Sequence, residues 1–191
     1  MSKRRSALHP EPGRKPRNGW SGRGLIVAHR PKALVLTILA APVPTPIGHG
    51  PQFAPPRMGR EAAAAIACTP GPAAADARAH LELFARKRAI VIPAGIGLRR
   101  GCRYPLRTLT PTGVIEIGRG TLTIGDLFAV WRMPLSNRRM LTFRGGVKAY
   151  VAGKRWRGDA RAIVLRDRRQ IVLEVGGYVP PHHFFLFGAS G

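Results

Sequence analysis

The sequence predicts an α+β fold, in which a small mixed sheet packs on one amphipathic helix. Three patterns predict it: alternating apolar residues before a tight turn at residue 86, a capped helical repeat after residue 123, and strand-like runs up to residue 176. A chain of 191 residues with 45% apolar content can bury a core of this kind.

The first elements form a predicted β-hairpin. Its first strand, AHLELFA, carries three apolar residues on one face, Leu81, Leu83 and Ala85. Arg86 and Lys87 make the turn, and AIVIPAG is the second strand, which Pro93 ends because proline has no backbone donor. Before the hairpin, EAAAAIACTPG predicts a short helical turn at the start of the folded part.

One helix is predicted over TIGDLFAVWRMPL. Thr123 is placed as its N-cap, and Asp126 stands three residues later, as in a capping box. Pro134 marks the expected end of the helix. Apolar residues recur at the spacing of one helical face and predict a core stripe formed by Ile124, Leu127, Phe128, Trp131 and Leu135.

The remaining strands flank this helix. GVIEIG, at 113–118, precedes it; VKAYVAG, with a turn at Gly153, follows, and AIVL and QIVLEVG come next around the polar turn RDRR. The apolar and aromatic run GYVPPHHFFLF predicts an extended segment along the body. The order of elements resembles a β-grasp, and a small β-barrel with one helix is the alternative.

The chain divides into two parts by composition. Residues 1–60 are basic and rich in proline and glycine, so we expect them to be disordered. Residues 61–191 are predicted to form a single α+β domain. The apolar segment ALVLTILAA at 33–41 follows Arg30 and Lys32 and resembles the core of a secretory signal, although a polar lead of 32 residues precedes it.

Export is therefore the predicted location, in the periplasm, at the cell surface or outside the cell. The 33–41 segment is too short for a membrane-spanning helix, which needs about 20 apolar residues. The alternative is a cytoplasmic protein in which this segment is an apolar patch within a disordered region. Cys68 and Cys102, the two cysteines of the chain, could form a disulfide or remain buried free thiols.

Net charge is +23, and it is spread along the chain. Residues 1–60 contribute +10 and residues 61–191 contribute +13. Such an excess fits a nucleic acid or an anionic surface, but arginine beside abundant alanine, glycine and proline is also typical of a GC-rich genome. The sequence has no zinc-finger spacing and no aromatic and arginine interleaving of a base-stacking platform, so it does not favour a specific nucleic-acid module.

A set of ordered motifs covers about residues 76–187. The motifs are His80 with Leu81, PAGIG, CRYPL, TGVIEI, TLTIGDLFAVW, VKAYVAG, GDARAIVLRDRRQIVLEVG and YVPP. In this order they resemble an uncharacterised family of exported bacterial proteins. Members of that family read H-x-H-x-H-L, L-H-T-H-D, I-H-x-E-S and T-L-G-x-F-F-x-I-W. The resemblance implies no established activity.

The histidines of those motifs would suit a metal site, but this chain replaces most of them. Asp76, Arg78 and His80 stand at the first motif, Arg107 to Thr110 at the second, and Glu116 at the third. Arginine cannot ligate a cation. The resemblance therefore implies a residual framework, formed by Asp76, His80, Arg107 and Glu116, without a metal or another cofactor; a minimal cluster of Asp76, His80 and Glu116 is the alternative.

No nucleophile elbow, phosphate-binding loop or zinc-protease motif occurs in the sequence, and we expect no enzymatic activity. Adjacent His182 and His183 face opposite ways on an extended chain and form no ligand pair. The predicted function is a non-enzymatic exported module that acts by contact with a protein or an anionic envelope surface. The alternative is a basic intracellular protein that binds nucleic acid.

Overall fold

The computed structural model describes residues 44–61, 65–71 and 74–188, and these form an α+β fold. The signal-like segment at 33–41 lies outside the described residues. Most of the described elements are strands, and a single α-helix accompanies them. The main sheet has two ends and does not close on itself. The β-barrel alternative is therefore wrong for the described part of the chain.

The described residues form one α-helix, two short 3₁₀ turns and a series of β-strands. The α-helix α1 spans Ile124–Trp131, and short 3₁₀ turns occur at Pro51–Phe53 and Ala160–Ala162. The strands are β1 Ala77–Ala85, β2 Arg88–Ile90, β3 Leu98–Arg99, β4 Cys102–Arg103, β5 Leu106–Arg107, β6 Val114–Ile117, β7 Leu135–Ser136, β8 Arg139–Met140, β9 Phe143–Arg144, β10 Val147–Val151, β11 Lys154–Trp156 and β12 Gln170–Val175.

The main sheet has seven strands in the order β11-β10-β12-β1-β6-β5, with β2 also paired to β1. β1 and β12 are parallel neighbours, from His80 opposite Gln170 to Ala85 opposite Val175. On its other edge, β1 pairs antiparallel with β6 over its first half and with β2 over its second half. The long β1 strand therefore connects the two halves of the sheet.

The predicted hairpin and helix are confirmed, although the second strand of the hairpin ends at Ile90, before Pro93. β1 and β2 are antiparallel around Arg86 and Lys87, and Thr123 and Asp126 form the capping box of α1. Trp131 is fully buried. One face of the sheet packs with α1 into the main core, which includes Leu81, Leu83, Ala85, Ile115, Ile117, Ile124, Leu127, Phe128, Trp131, Ile171 and Leu173.

The helix ends one turn earlier than the sequence predicts. Arg132 adopts a left-handed conformation, with φ of 58°, and the Met133 N–H donates to the Phe128 carbonyl at 3.0 Å. Helical geometry is disfavoured directly before a proline, so the turn is completed before Pro134. Leu135, which was expected on the helical stripe, instead lies buried in β7.

One further prediction of local structure is wrong, and a second is tested only in part. AIVL forms the end of a 3₁₀ turn and a single bridge from Val164 to Thr123, because Asp159 caps the turn by accepting the Arg161 N–H at 2.9 Å. Its apolar pattern reflects burial beside α1, not a strand. EAAAAIACTPG shows no helix in residues 65–71, and residues 62–64 lie outside the described part.

Residues 44–60 are also different from the expectation of disorder, because they pack on the domain. The Phe53 ring is buried 4.9 Å from the Phe143 ring, measured between centroids. The Gly48 N–H donates to the Ala89 carbonyl at 2.9 Å, and Trp131 Nε1 donates to the Pro56 carbonyl at 2.7 Å. A segment can add one aromatic side chain to an existing core without any periodic pattern of its own.

Across residues 44–61, 65–71 and 74–188, no helix combines the length and the apolar character that crossing a membrane requires.

Because Phe53 belongs to the core, we expect Phe53→Ala to lower the free energy of unfolding by about 3 to 5 kcal/mol. The matched control is Phe184→Ala, whose side chain is 71% exposed and should change stability by less than about 0.5 kcal/mol. Chemical denaturation of the full chain measures both. Equal, small effects of the two changes would contradict the packing of residues 44–60.

Candidate functional site: the polar face of the sheet

The side of the sheet that faces away from α1 carries most of its charged and polar side chains. Alternation along the strands and the pairing registers bring these residues to one side. We call this side the polar face and define it as Arg78, His80, Glu82, Arg107, Glu116, Lys148, Tyr150, Gln170 and Glu174.

An extended segment, residues 177–188, lies across the polar face, and we call it the covering segment. The Val179 N–H donates to Glu174 Oε1 at 3.0 Å, and the His182 ring nitrogen Nδ1 lies 2.9 Å from the Glu82 carboxylate. The Phe185 ring stacks on His80, with centroids 3.7 Å apart. The polar face is therefore covered by the chain itself.

A buried ion pair joins two residues of the predicted framework. Arg107 Nε donates to Glu116 Oε2 at 2.7 Å, and both side chains are largely shielded from water. Arg78 reaches the other oxygen of Glu116 at 3.9 Å from its more exposed position. A carboxylate that is neutralised in this way by guanidinium groups is a poor ligand for a cation, because its charge is already balanced.

His80, the histidine of the predicted framework, has protein partners on both ring nitrogens. Its Nε2 lies 2.8 Å from the Thr112 carbonyl, and its Nδ1 lies 2.7 Å from Gln170 Oε1. The tautomer of the ring decides which nitrogen donates, and both nitrogens lie against groups of the protein. Ligation by His80 would require that one of these bonds be broken.

Gly113 supports the position of His80 from the adjacent turn. Its φ is 79°, a conformation that favours glycine, and a Cβ at this position would collide with the Leu81 carbonyl. The same Cβ would come within 3.1 Å of His80 Nε2. The turn that presents the Thr112 carbonyl to His80 therefore depends on a residue without a side chain.

Glu82, Gln170 and His182 extend this polar network, and the sequence interpretation did not identify Glu82 or Gln170. Gln170 Nε2 donates to Glu82 Oε2 at 3.0 Å, and Glu82 also contacts His182. His182 is about half exposed. Only the parallel register of β1 and β12 brings Gln170 beside Glu82, so the sequence carried no local signal for the contact.

Asp76 lies apart from the other framework residues. Its carboxylate is half exposed and lies 3.9 Å from Arg119. It lines a cleft of about 410 Å³ together with Arg78, Asp167, Arg168 and Phe187. Asp167 Oδ1 in this cleft accepts the Arg78 backbone N–H at 3.0 Å. Carboxylates and guanidinium groups alternate there, so the cleft presents no single charge to a ligand.

The structure thus places His80, Arg107 and Glu116 on one face, with Asp76 at its margin. These residues form two separate contacts: Arg107 bonds to Glu116, and His80 bonds to Gln170. In the described ranges, no group of three or more His, Cys, Asp or Glu side chains is arranged to hold a metal ion.

Glu174 is the fully buried carboxyl group of the polar face. Burial raises its pKa, although the Val179 N–H, Lys148, Tyr150 and Arg155 each oppose that shift. Burial also raises the pKa of the neighbouring Tyr150, and the negative charge of Glu174 contributes to the rise. The covering segment supplies part of this burial through Val179, which packs with Phe84, Tyr150 and Val172.

The two cysteines meet at the margin of the domain, where Cys68 and Cys102 form a disulfide with a Cα–Cα distance of 5.6 Å. The bond closes a loop with a sequence separation of 34 residues, which contains the β1–β2 hairpin. The chain-entropy model assigns about 3 to 4 kcal/mol of stabilisation to a loop of this length. Of the two alternatives for these cysteines, the structure contains the bonded one.

Neither a family model, nor a curated protein, nor a solved structure matches this chain.

The polar face is occupied by contacts within the protein. General acid–base or nucleophilic catalysis needs a side chain directed at a position that substrate can occupy. Here the polar side chains are directed at one another and at the covering segment. Among the described residues, the outer side of the covering segment and the basic loops are exposed to solvent.

The contribution of the Arg107–Glu116 ion pair can be tested by comparing a single substitution with a double substitution. Glu116→Leu should lower the free energy of unfolding by about 3 to 5 kcal/mol, because Arg107 then keeps a buried charge without its carboxylate. The double change Arg107→Met with Glu116→Leu should recover most of the loss. Denaturant unfolding measures both variants, and a double variant no more stable than the single one would contradict this account.

Glu174 should make stability fall as pH rises. Its folded-state pKa lies above its unfolded value, so the folded protein binds more protons in the interval between the two. The stabilisation that Glu174 contributes is complete below about pH 4.3, where the carboxyl group of an unfolded glutamate titrates. It is lost as pH rises from there toward the folded-state pKa of Glu174. Glu174→Gln should remove this dependence and gain stability relative to the natural chain as pH rises.

Thermal unfolding of the two proteins across this pH interval measures the difference. Glu82→Gln is the matched control, since it removes a carboxylate of the same face that is hydrogen-bonded to Gln170 and His182. Parallel pH profiles for the natural chain and Glu174→Gln would contradict the assignment.

Proposed function

We propose that this chain is a non-enzymatic exported module that acts by contact with another molecule of the cell envelope. The observation that carries the proposal is the state of the polar face. His80, Arg107 and Glu116 are bonded within the protein, and the covering segment lies over them. The side chains of this face are engaged within the fold, so interaction with a partner is assigned to the outer surface.

The disulfide supports the exported location. Disulfides persist in oxidising compartments such as the periplasm and the cell exterior, and they are rare in the reducing cytosol. The Cys68–Cys102 bond joins the segment before β1 to β4 and constrains the first third of the domain. A stabilising cross-link of this kind would be lost in the cytosol, which favours export over the cytoplasmic alternative.

We also propose the β-grasp-like arrangement that the order of elements predicts. Its support is the strand order β2-β1-β12-β10-β11, in which β1 and β12, the first and last strands along the chain, are parallel neighbours. The helix α1 lies in the connection between the two halves and packs on one side of the sheet. In this proposal, β5 and β6 are an addition at the outer edge of β1.

Nucleic acid is the second candidate partner, and the net charge of +23 is the observation that favours it. The exposed cations of the domain are dispersed over several loops, among them Lys87, Arg100, Arg138, Arg157 and Arg168. Dispersed cations suit weak, sequence-independent attraction to phosphates. A DNA-retention assay at increasing salt tests it, since affinity that falls steeply with salt would favour this candidate.

Export is tested by fractionating cells that produce the full chain. We expect the protein outside the cytoplasm with Cys68 and Cys102 oxidised, as mass spectrometry after alkylation without reduction would show. The mature N-terminus should follow the 33–41 segment. Recovery of full-length protein from the cytoplasm with both thiols alkylated would overturn the proposal.

The variant Cys68→Ser with Cys102→Ser gives a matched control for the role of the bond. Its free energy of unfolding should be lower by about 3 to 4 kcal/mol, the estimate for a loop of this length. Adding a reductant to the natural chain should produce a similar loss, and it should leave the double variant unchanged.

A further inference from the structure

We propose that the covering segment docks on an anionic lipid bilayer, with Phe184 and Leu186 inserted at the level of the headgroups. This inference rests on the proposed function and deepens it, because it names the envelope partner and the residues that touch it. The observations that carry it are the exposure of two apolar side chains, the way the segment holds them outward, and the charges beside them.

The covering segment alternates between inward and outward side chains. Phe185 stacks on His80, and Phe187 packs edge-on against Phe185 with centroids 5.0 Å apart. Phe184 precedes Phe185, and Leu186 lies between Phe185 and Phe187. Both point away from the protein, since Phe184 is 71% exposed and Leu186 is 82% exposed. Successive side chains of an extended chain face opposite ways, so the two exposed residues lie on the same outer side.

This exposure is imposed by the contacts of the segment. The His182 contact to Glu82, the packing of His183 against Gly153 and the stacking of Phe185 hold the backbone on the sheet. If the segment rotated to bury Phe184 and Leu186, the stacking of Phe185 on His80 would be lost. A pair of apolar side chains presented in this way is typical of a surface that meets another apolar phase.

Cations flank the segment along its length. Lys87 packs against Gly177 at the beginning, Lys154 follows the Gly153 turn that contacts His183, and Arg78 and Arg168 share a cleft with Phe187 and Gly188 at the other end. Four acids lie near the same segment. Glu82 is bonded to His182 and Glu174 is buried, whereas Asp76 and Asp167 line the cleft with Arg78 and Arg168 and balance their charge. The unbalanced positive charge beside the segment is therefore that of the exposed Lys87 and Lys154.

An anionic bilayer fits these features better than other occupants. Bases of a nucleic acid would stack on Phe184, but an aliphatic Leu186 offers no stacking surface. A second copy of the chain would bring its own cations to the same place and repel the first. Apolar side chains beside lysine and arginine are the combination that binds the boundary between anionic headgroups and acyl chains.

The test is flotation of the full chain, with its disulfide intact, on lipid vesicles. One set contains phosphatidylcholine alone, and the other contains phosphatidylcholine with phosphatidylglycerol. We expect flotation with the second set, weakened by added salt because headgroup attraction is screened. Phe184→Ser with Leu186→Ser should reduce partitioning about tenfold or more, since each buried apolar side chain contributes about one factor of ten.

The matched control is Ile47→Ser with Leu109→Ser, which removes two other apolar side chains that are 55% and 53% exposed. It should float like the natural chain, and thermal unfolding should confirm that both double variants keep the fold. Full-length protein also contains the 33–41 segment, which every variant shares. The comparison between variants therefore isolates the contribution of the covering segment.

Equal flotation of the natural chain and the Phe184/Leu186 variant would overturn the proposal, as would equal binding to both vesicle sets or retention on DNA in place of vesicles. These outcomes are independent of the location of the protein in the cell. A chain that binds vesicles but stays in the cytoplasm would contradict the export proposal alone. A chain that is exported but shows no difference between variants would contradict the docking proposal alone.

Discussion

β1 and β12 run parallel through the middle of the sheet, and the other layers are positioned by their pairing. The register sets His80 opposite Gln170 and Ala85 opposite Val175. It directs Ile171 and Leu173 toward α1, and Gln170 and Glu174 toward the covering segment. A slip of one residue would exchange the faces of β12 and place a carboxyl group in the apolar core, which explains why the register is well specified.

The two faces of the sheet are stabilised by different physics. On the α1 side, burial of apolar area is the main contribution, and it tolerates modest changes of side-chain shape. On the polar face, each group depends on a particular neighbour: Arg107 on Glu116, His80 on Gln170, and Glu82 on His182. A buried polar group that loses its neighbour keeps its desolvation cost. The polar face therefore contributes more to the specificity of the fold than to its free energy of unfolding.

The sequence predicts the elements whose signals are local. The capping residues Thr123 and Asp126 sit three positions apart, and the alternation in β1 is visible in nine consecutive letters. The contacts that were missed are made by residues distant in the chain. Phe53 enters the core from a proline-rich segment, and Gln170 reaches His80 across 90 residues. AIVL shows a related difficulty. Its run of apolar residues indicates burial, but it does not indicate whether the backbone forms a strand.

Three of the four framework residues lie on one face of the sheet, whereas Asp76 lies apart at its margin. The motif positions of His80, Arg107 and Glu116 do converge on one face, as alternate strand positions require. Their hydrogen-bond partners could not be read from the motifs, since Gln170 and the Thr112 carbonyl belong to other elements. The outward direction of Phe184 and Leu186 likewise depends on the stacking of Phe185 on His80. A run of apolar letters does not tell which of its members face the protein.

The Cys68–Cys102 loop encloses the β1–β2 hairpin, and we expect this nesting to influence the order of folding. Contacts inside the loop are close in sequence and are expected to form first, whereas the β1–β12 pairing joins residues 90 apart in sequence and is expected to form later. In the interval, the edge of β1 that β12 later covers is an unpaired strand edge in an already cross-linked unit. Such an edge recruits other chains, so the risk of aggregation during folding is concentrated on the same strand that organises the finished molecule.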